Sequence, residues 1–417
     1  MDERYDSVSY CLQLGLLFWF AVEVAKPELV PKIIENFKKC ILGFHLKLED
    51  SKMVYNNDPI NVYSIPQNVR GPRQACNFID SIKYDLKNTF SVIAANDKTV
   101  AVSVSHIISD GGFFIDLFEK LLMDNTGNLK SLLPLTTIDV LPDELSRIPK
   151  QYIEEASHAF DNMTKFKYSK NYKELQKIPG IKLMSKHYND ESPVTDFQFY
   201  KEKMNLHDLC MTSYLISILS LNGQLDSIFG IYIPVNLRRY MPQNEKNFSN
   251  GQNWSAAIVN AFDVSPKTAI RQLSNILQND LTDKLNKRQP LAIYQCYLNN
   301  NMKFKQKNWW FPEFSNIGRF KSDLYRYDEL INDMWIQTAA YHPDEEDIFI
   351  IGFSKMKNGQ NTICSRFRHP CAILNDTDAK LLMKSFVRMM KEVPVDVTIQ
   401  DAYDDISRFQ NKIKNEL

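Results

Sequence analysis

From Leu16 to Val24 the chain is apolar and aromatic, reading Leu16-Leu17-Phe18-Trp19-Phe20-Ala21-Val22-Glu23-Val24. A short run rich in aromatic and β-branched residues is the pattern of a buried strand. A helix is expected from about Pro27. Leu29, Ile33, Phe37 and Ile41 recur at helical spacing, Val30 and Ile34 widen the stripe, and Pro27 and Glu28 suit its first turn. Two short strands follow near His45–Leu48 and Met53–Tyr55. The polar Glu49-Asp50-Ser51-Lys52 between them predicts a hairpin.

The clearest alternation covers residues 99–106. Val100, Val102, Val104 and His106 fall on one face, and Ala101, Ser103 and Ser105 on the other. Asp110-Gly111-Gly112 ends this pattern. A helix is predicted from near Phe113, with Phe113, Phe114, Leu117, Phe118, Leu121 and Leu122 on its apolar side. His106 is thus expected at a strand end and Asp110 just before a helix.

Residues 124–190 are weaker in pattern, and Pro134, Pro142, Pro149 and Pro179 suggest a connector with some helix in its middle. Beyond it, Thr195–Tyr200 reads as a strand, Thr212–Leu221 as an apolar helix capped by Thr212, and Ile228–Pro234 as a strand. The whole reads as an α/β (α+β) chain. Its 417 residues exceed what one hydrophobic core serves, so two domains are expected.

Composition narrows the classes of function. Lys+Arg and Asp+Glu number 50 each, so no global field draws the chain to nucleic acid or an anionic membrane. The apolar run from Leu12 to Val24 is too short and interrupted to span a bilayer, and Asp2, Glu3 and Asp6 argue against a signal peptide. The seven cysteines are odd in number and widely spaced, which suits a reducing cytoplasm better than a disulfide framework. Cys364, His369 and Cys371 are close in sequence, but no fourth ligand stands at zinc spacing, so no metal is expected. From Lys165 to Lys186 there are seven lysines and one acid; the run could meet phosphates or an acidic partner, and a solvated connector is preferred. Trp309-Trp310-Phe311-Pro312 could be a tunnel wall or a loop anchor, with core packing favoured.

The chemistry centres on His106. A neutral imidazole is available as a base near neutral pH, and within hydrogen-bond reach it can deprotonate an acceptor O–H or N–H. Acyl transfer from a thioester then needs no covalent enzyme intermediate. Asp110 could orient the ring, cap the helix that follows, or pair with an arginine; the structural roles are preferred. Gly111 and Gly112 would permit a positive φ or a close approach of the backbone to a substrate.

Ser105-His106-Ile107-Ile108-Ser109-Asp110-Gly111 resembles the His-x-x-x-Asp-Gly signature of the CoA-dependent acyltransferase superfamily, which includes chloramphenicol acetyltransferase, alcohol O-acetyltransferases and nonribosomal peptide condensation domains. Pro234-Val235-Asn236-Leu237-Arg238-Arg239-Tyr240 and Phe248-Ser249-Asn250-Gly251 resemble the family's Arg-bearing strand and loop, and Phe314-Ser315-Asn316-Ile317-Gly318 its Ser-Asn-x-Gly segment. Ser stands at position 105 where many condensation domains have a second histidine, and the plant-type Asp-Phe-Gly-Trp-Gly motif is absent.

The resemblance implies two chloramphenicol acetyltransferase-like subdomains, each a mixed β-sheet flanked by helices, with an active-site tunnel between them. It places the first at residues 1–185, with the motif and the connector, and the second at 186–417. It implies catalysis by His106 with Asp110 and Gly111, an Asp110–Arg238 pair, and Ser315 and Asn316 as oxyanion or substrate contacts. Acyl-CoA, or acyl-phosphopantetheine on a carrier protein, would be a co-substrate rather than a bound cofactor, and a small alcohol or amine the acceptor. A stand-alone monomer is expected.

Overall fold

The computed structural model describes residues 17–50, 52–82, 85, 87–122, 137–166, 172–175, 177, 185–241, 254–299, 312–320, 330–339, 348–357, 360–371, 373–414 and 416. The strands are β1 (Leu17–Val24), β2 (Leu46–Glu49), β3 (Lys52–Tyr55), β4 (Val62–Ser64), β5 (Ser91–Ala95), β6 (Thr99–Ser105), β7 (Ser185–Pro193), β8 (Phe229–Asn236), β9 (Trp254–Ala261), β10 (Pro312–Arg319), β11 (Ile331–Ala339), β12 (Ile348–Lys357) and β13 (Gln360–Pro370). The main helices are α1 (Val30–Cys40), α2 (Gly71–Asp80), α3 (Gly111–Leu122), α4 (Lys150–Ser157), α5 (Leu206–Asn222), α6 (Ile270–Asn286), α7 (Gln289–Leu298), α8 (Asp376–Lys391) and α9 (Ile399–Lys414).

They build two sheets, ordered β11-β1-β6-β5-β4 and β7-β13-β12-β10-β8-β9, with β2-β3 as a separate hairpin. The first sheet is covered on both faces. Phe20 of β1 meets Phe37 of α1 and Phe114 and Phe118 of α3. On the opposite face, Asn77 of α2 accepts from the Gln337 side chain of β11. Cover on both sides explains why β1 is apolar almost throughout.

One strand crosses between the halves. β11 comes from the later part of the chain, yet it pairs antiparallel with β1 from Leu17↔Ala339 to Glu23↔Asp333. The Lys355 ammonium of β12, fully buried, ties this strand to the second sheet. It lies 2.6 Å from Asp333 on β11 and 3.2 Å from Glu191 on β7. Burial opposes ionisation of Glu191, but Lys355 and Lys357 outweigh it and hold its carboxyl below the usual range.

The connector is a cover. Leu141, Leu145, Ala156 and Phe160 pack with Leu291 and Ile293 of α7 over Ala256 and Ile258 of β9, the outer strand of the second sheet.

Three local expectations change. Thr195–Tyr200 is not a strand but a 3-10 turn, Val194–Asp196, followed by the short helix Gln198–Lys201. The strand is the polar β7 just before it, an edge strand that ends at Pro193, which has no amide to continue a ladder. The helix expected from Thr212 begins at Leu206. Asn205 caps it by accepting from the His207 amide, and Gly223, at φ 69°, closes it. Thr212 is interior and donates to the Asp208 carbonyl. Every residue from Asp208 to Ser220 is buried, so no apolar stripe marks where the helix starts. The segments Phe248–Gly251, Trp309–Phe311 and most of Lys165–Lys186 lie outside the described residues.

The Asn205 cap gives a direct check. Asn205→Ala should lower stability by about 1 kcal/mol in urea denaturation while Asn205→Ser keeps most of it. Equal loss in both variants would place the start of the helix elsewhere.

Candidate active site

His106 stands one residue beyond β6, at the start of a turn rather than within the strand. The turn is closely tied. The Ile108 amide and the Ser109 hydroxyl both donate to the Ser105 carbonyl, at 3.2 and 3.0 Å. Ile107 and Ile108 are buried, so apolar packing holds the turn as well. The His106 ring rests 4.6 Å from the Phe18 ring of β1 and 5.6 Å from the Trp254 ring of β9, touching both halves. Phe18 opposes Val104 in the β1–β6 register, so the ring follows the valine face.

Only 9% of His106 is exposed. Burial pushes its pKa down to about 4, against a smaller upward pull from a backbone hydrogen bond and the Asp110 charge. Losing the proton spares the buried ring an uncompensated charge. The imidazole is therefore neutral at pH 7, the form a base requires.

Asp110 lies between the turn and α3 and holds two partners. Its Oδ1 accepts from the Phe113 amide at 2.9 Å, capping the helix. The Arg238 Nη1 donates to both carboxylate oxygens at 2.8 Å each. Arg238 belongs to the 3-10 turn Leu237–Tyr240 that follows β8. Both side chains are buried. Asn236 steadies the arginine, its Oδ1 accepting from the Arg238 backbone amide at 3.0 Å and from Nη1 at 3.3 Å.

The two glycines differ from expectation. Neither is among the described glycines with positive φ, which are Gly71, Gly223 and Gly318. Both lie in the first turn of α3, which starts at Gly111 rather than near Phe113. A Cβ on Gly112 would come within 2.4 Å of Asn236 Nδ2 and 3.0 Å of Arg238 Nη1. Gly112 is therefore needed chiefly for the close approach of Asn236, and with it of the arginine. A Cβ on Gly111 would meet only Ile317, at an ordinary 3.6 Å.

Register separates Ser315 from Asn316. Ser315 opposes Ile351, two residues before Phe353, and Phe353 packs on Trp335 of the first half at 5.4 Å. Ser315 thus lies on the face turned toward the first half. Asn316 lies on the other face, where its amide meets the His207 ring of α5 at 3.2 Å. A bulge follows between Asn316 and Gly318, and Gly318 has φ 111°. Burial lowers the His207 pKa to about 4.

Cys364 and His369 are an odd number of residues apart on β13, so alternation sends them to opposite faces. No group of three potential metal ligands gathers among the described residues. No described helix is long and apolar enough to cross a membrane.

Phe18, Trp254 and His207 carry no motif that would mark them in the sequence. Asn236 alone had a signal, two positions before Arg238 in the quoted segment.

No family model and no curated protein matches the chain. Solved structures do. The first condensation domain of the CDA synthetase aligns with TM-score 0.69 at 12% identity, over 95% of this chain and 96% of that one. The chain has the condensation-domain fold. The same fold is shared by TRI3 trichothecene 15-O-acetyltransferase from Fusarium sporotrichioides, with TM-score 0.60, 10% identity and 91% of each chain covered. A starter condensation domain of rhizomide synthetase RzmA, a variant in complex with C8-CoA, aligns with TM-score 0.65 at 9% identity over 94% of each chain. In the condensation-domain fold of this chain, the His106 turn sits where the two sheets meet.

Two outcomes test this geometry. Gly112→Ala should lower stability by about 1–3 kcal/mol through overpacking against Asn236 and Arg238, with Gly111→Ala well below that; equal thermal shifts would contradict the assignment. By NMR titration, His106 should take up its proton near pH 4. A folded pKa below the unfolded one means that this contribution to stability is complete above about pH 6.5 and is lost as pH falls toward 4. A midpoint near 6.5 would show a solvated ring.

Proposed function

We propose that this chain transfers an acyl group from a thioester, acyl-CoA in the first instance, to the hydroxyl or amine of a small molecule. The observation that carries the reading is the buried, neutral His106 ring, touching both halves and held by a turn that Asp110 and Arg238 brace from opposite sides. The shared fold supports an acyl-transfer scaffold, and the C8-CoA complex of the rhizomide synthetase domain supports a thioester as donor.

In this reading His106 takes the proton of the acceptor as its oxygen or nitrogen attacks the thioester carbonyl carbon. A tetrahedral oxyanion forms. Its collapse breaks the carbon–sulfur bond, and the imidazolium returns the proton to the departing thiolate. No acyl-enzyme intervenes. Ser315, on the face toward the first half, is the better-placed hydroxyl donor for the oxyanion. Asn316 is turned to His207 and is the weaker candidate. Asp110 and Gly111 contribute to this site through structure: Asp110 as a strut and cap, Gly111 as the first residue of α3.

A second reading takes the acyl group from a carrier protein's phosphopantetheine arm. The condensation-domain fold is as compatible with it. A binding protein without catalysis is a third, against which stands the retention of His106, Asp110 and Gly111.

The test is thiol release from acetyl-CoA, and from an acyl carrier protein, with a panel of alcohols and amines. His106→Ala should reduce turnover by roughly 10²–10⁴-fold, and Ser315→Ala by up to about 10²-fold. Turnover unchanged in His106→Ala would remove the general-base role.

A further inference from the structure

Ser315 stands near a strand end that its own sheet holds on one side. β10 runs parallel to β12 from Pro312↔Ile348 to Asn316↔Gly352, slips there by one residue, and resumes at Gly318↔Phe353. Toward β8, the pairing among the described residues is the single register pair Glu313↔Tyr232. Beyond Glu313 the ladder to β12 alone fixes the backbone that carries Ser315. The bulge follows at once, and a bulge leaves its extra residue unpaired and disrupts the ladder.

One side chain makes up for this from behind. Phe314 and Asn316 flank Ser315 and, by alternation, share the opposite face of β10. His207, in the first turn of α5, touches both. Its ring lies 5.2 Å from the Phe314 ring and makes a hydrogen bond of 3.2 Å with the Asn316 amide. Phe314 is buried and leans on Gly352, where a Cβ would come within 3.3 Å of the ring.

His207 is itself anchored. Its backbone amide donates to the Asn205 side chain at 3.0 Å, and the helix behind it is buried from Asp208 to Ser220. The ring Nε2 is buried and has no hydrogen-bond partner, so Asn316 is the ring's one polar contact among the described residues. An unsatisfied buried nitrogen costs stability. A leucine would pack on Phe314 without that cost, but it could not hold Asn316.

We infer that His207 is a positioning residue for Ser315: by gripping the residues on either side, it sets where the hydroxyl on the opposite face stands. The inference rests on the acyl-transfer reading above, in which Ser315 meets the oxyanion, and adds a residue that never touches substrate. An oxyanion donor works only at the place where charge develops. A small shift of β10 therefore lowers turnover and leaves substrate binding as it was.

Kinetics and hydrogen–deuterium exchange on His207→Leu and Asn316→Ala test it. Asn316 is exposed, so the second variant breaks the same contact without threatening the fold. With a thioester that wild type turns over, each variant should lower kcat by about tenfold with KM unchanged. Added to Ser315→Ala, neither should lower kcat further. Exchange in segment 312–319 should quicken in both, with the rest of the second sheet as in wild type. The inference is overturned if kcat is unchanged, if the loss adds in full to that of Ser315→Ala, or if exchange in 312–319 does not change. Full addition in Asn316→Ala would instead make Asn316 a direct oxyanion donor. A wild type that turns over no thioester sinks the acyl-transfer reading, and the exchange then decides alone whether His207 holds Ser315 in place.

Discussion

The buried pair between Asp110 and Arg238 is the constraint on which the site depends. Asp110 lies between β6 and α3 of the first half, and Arg238 follows β8 of the second, so one ion pair joins the two sheets at the histidine turn. Taking both charges out of water is costly, and only close geometry with further hydrogen bonds offsets it. Those further bonds are present. The Phe113 amide uses one carboxylate oxygen, Asn236 supports the guanidinium, and Gly112 leaves room for it. Removing one partner would strand the other as a buried charge, which is why the arrangement tolerates no half measure.

His106 gains its chemistry from the same burial. Phe18 and Trp254 exclude water on two sides, and exclusion lowers the proton affinity of the ring. A base with so low a pKa is weak in water. In the proposed reaction its use would be that it stays unprotonated and ready at neutral pH. The crossover strand β11 and the Lys355 ammonium beneath it keep the two faces of this environment together.

Much of this was legible in the sequence because it follows local rules. β1, α1, the hairpin and the β6-to-α3 junction each come from spacing within a dozen residues, and their order resembles the acyltransferase pattern. The misreadings have physical causes. Helix α5 is buried on all sides, so its pattern has no polar face to mark where it begins at Asn205. β7 is a polar edge strand, whereas the aromatic run after it forms a short helix. Trp254 and Phe18 reach the site through tertiary contacts between segments far apart, and nothing local encodes that. The glycines were read as allowing a positive φ or a close approach to a substrate, whereas Gly112 makes room for Asn236 and Arg238, more than a hundred positions away.

The most direct measurement is a double-mutant cycle on Asp110 and Arg238, read in both stability and activity. The account predicts that Asp110→Ala and Arg238→Ala each lose about 3–5 kcal/mol, that the double variant loses little more than either, and that activity falls with stability. Additive losses, or an Asp110→Asn variant that melts like wild type yet does not turn over, would contradict it and make Asp110 a direct partner of the histidine.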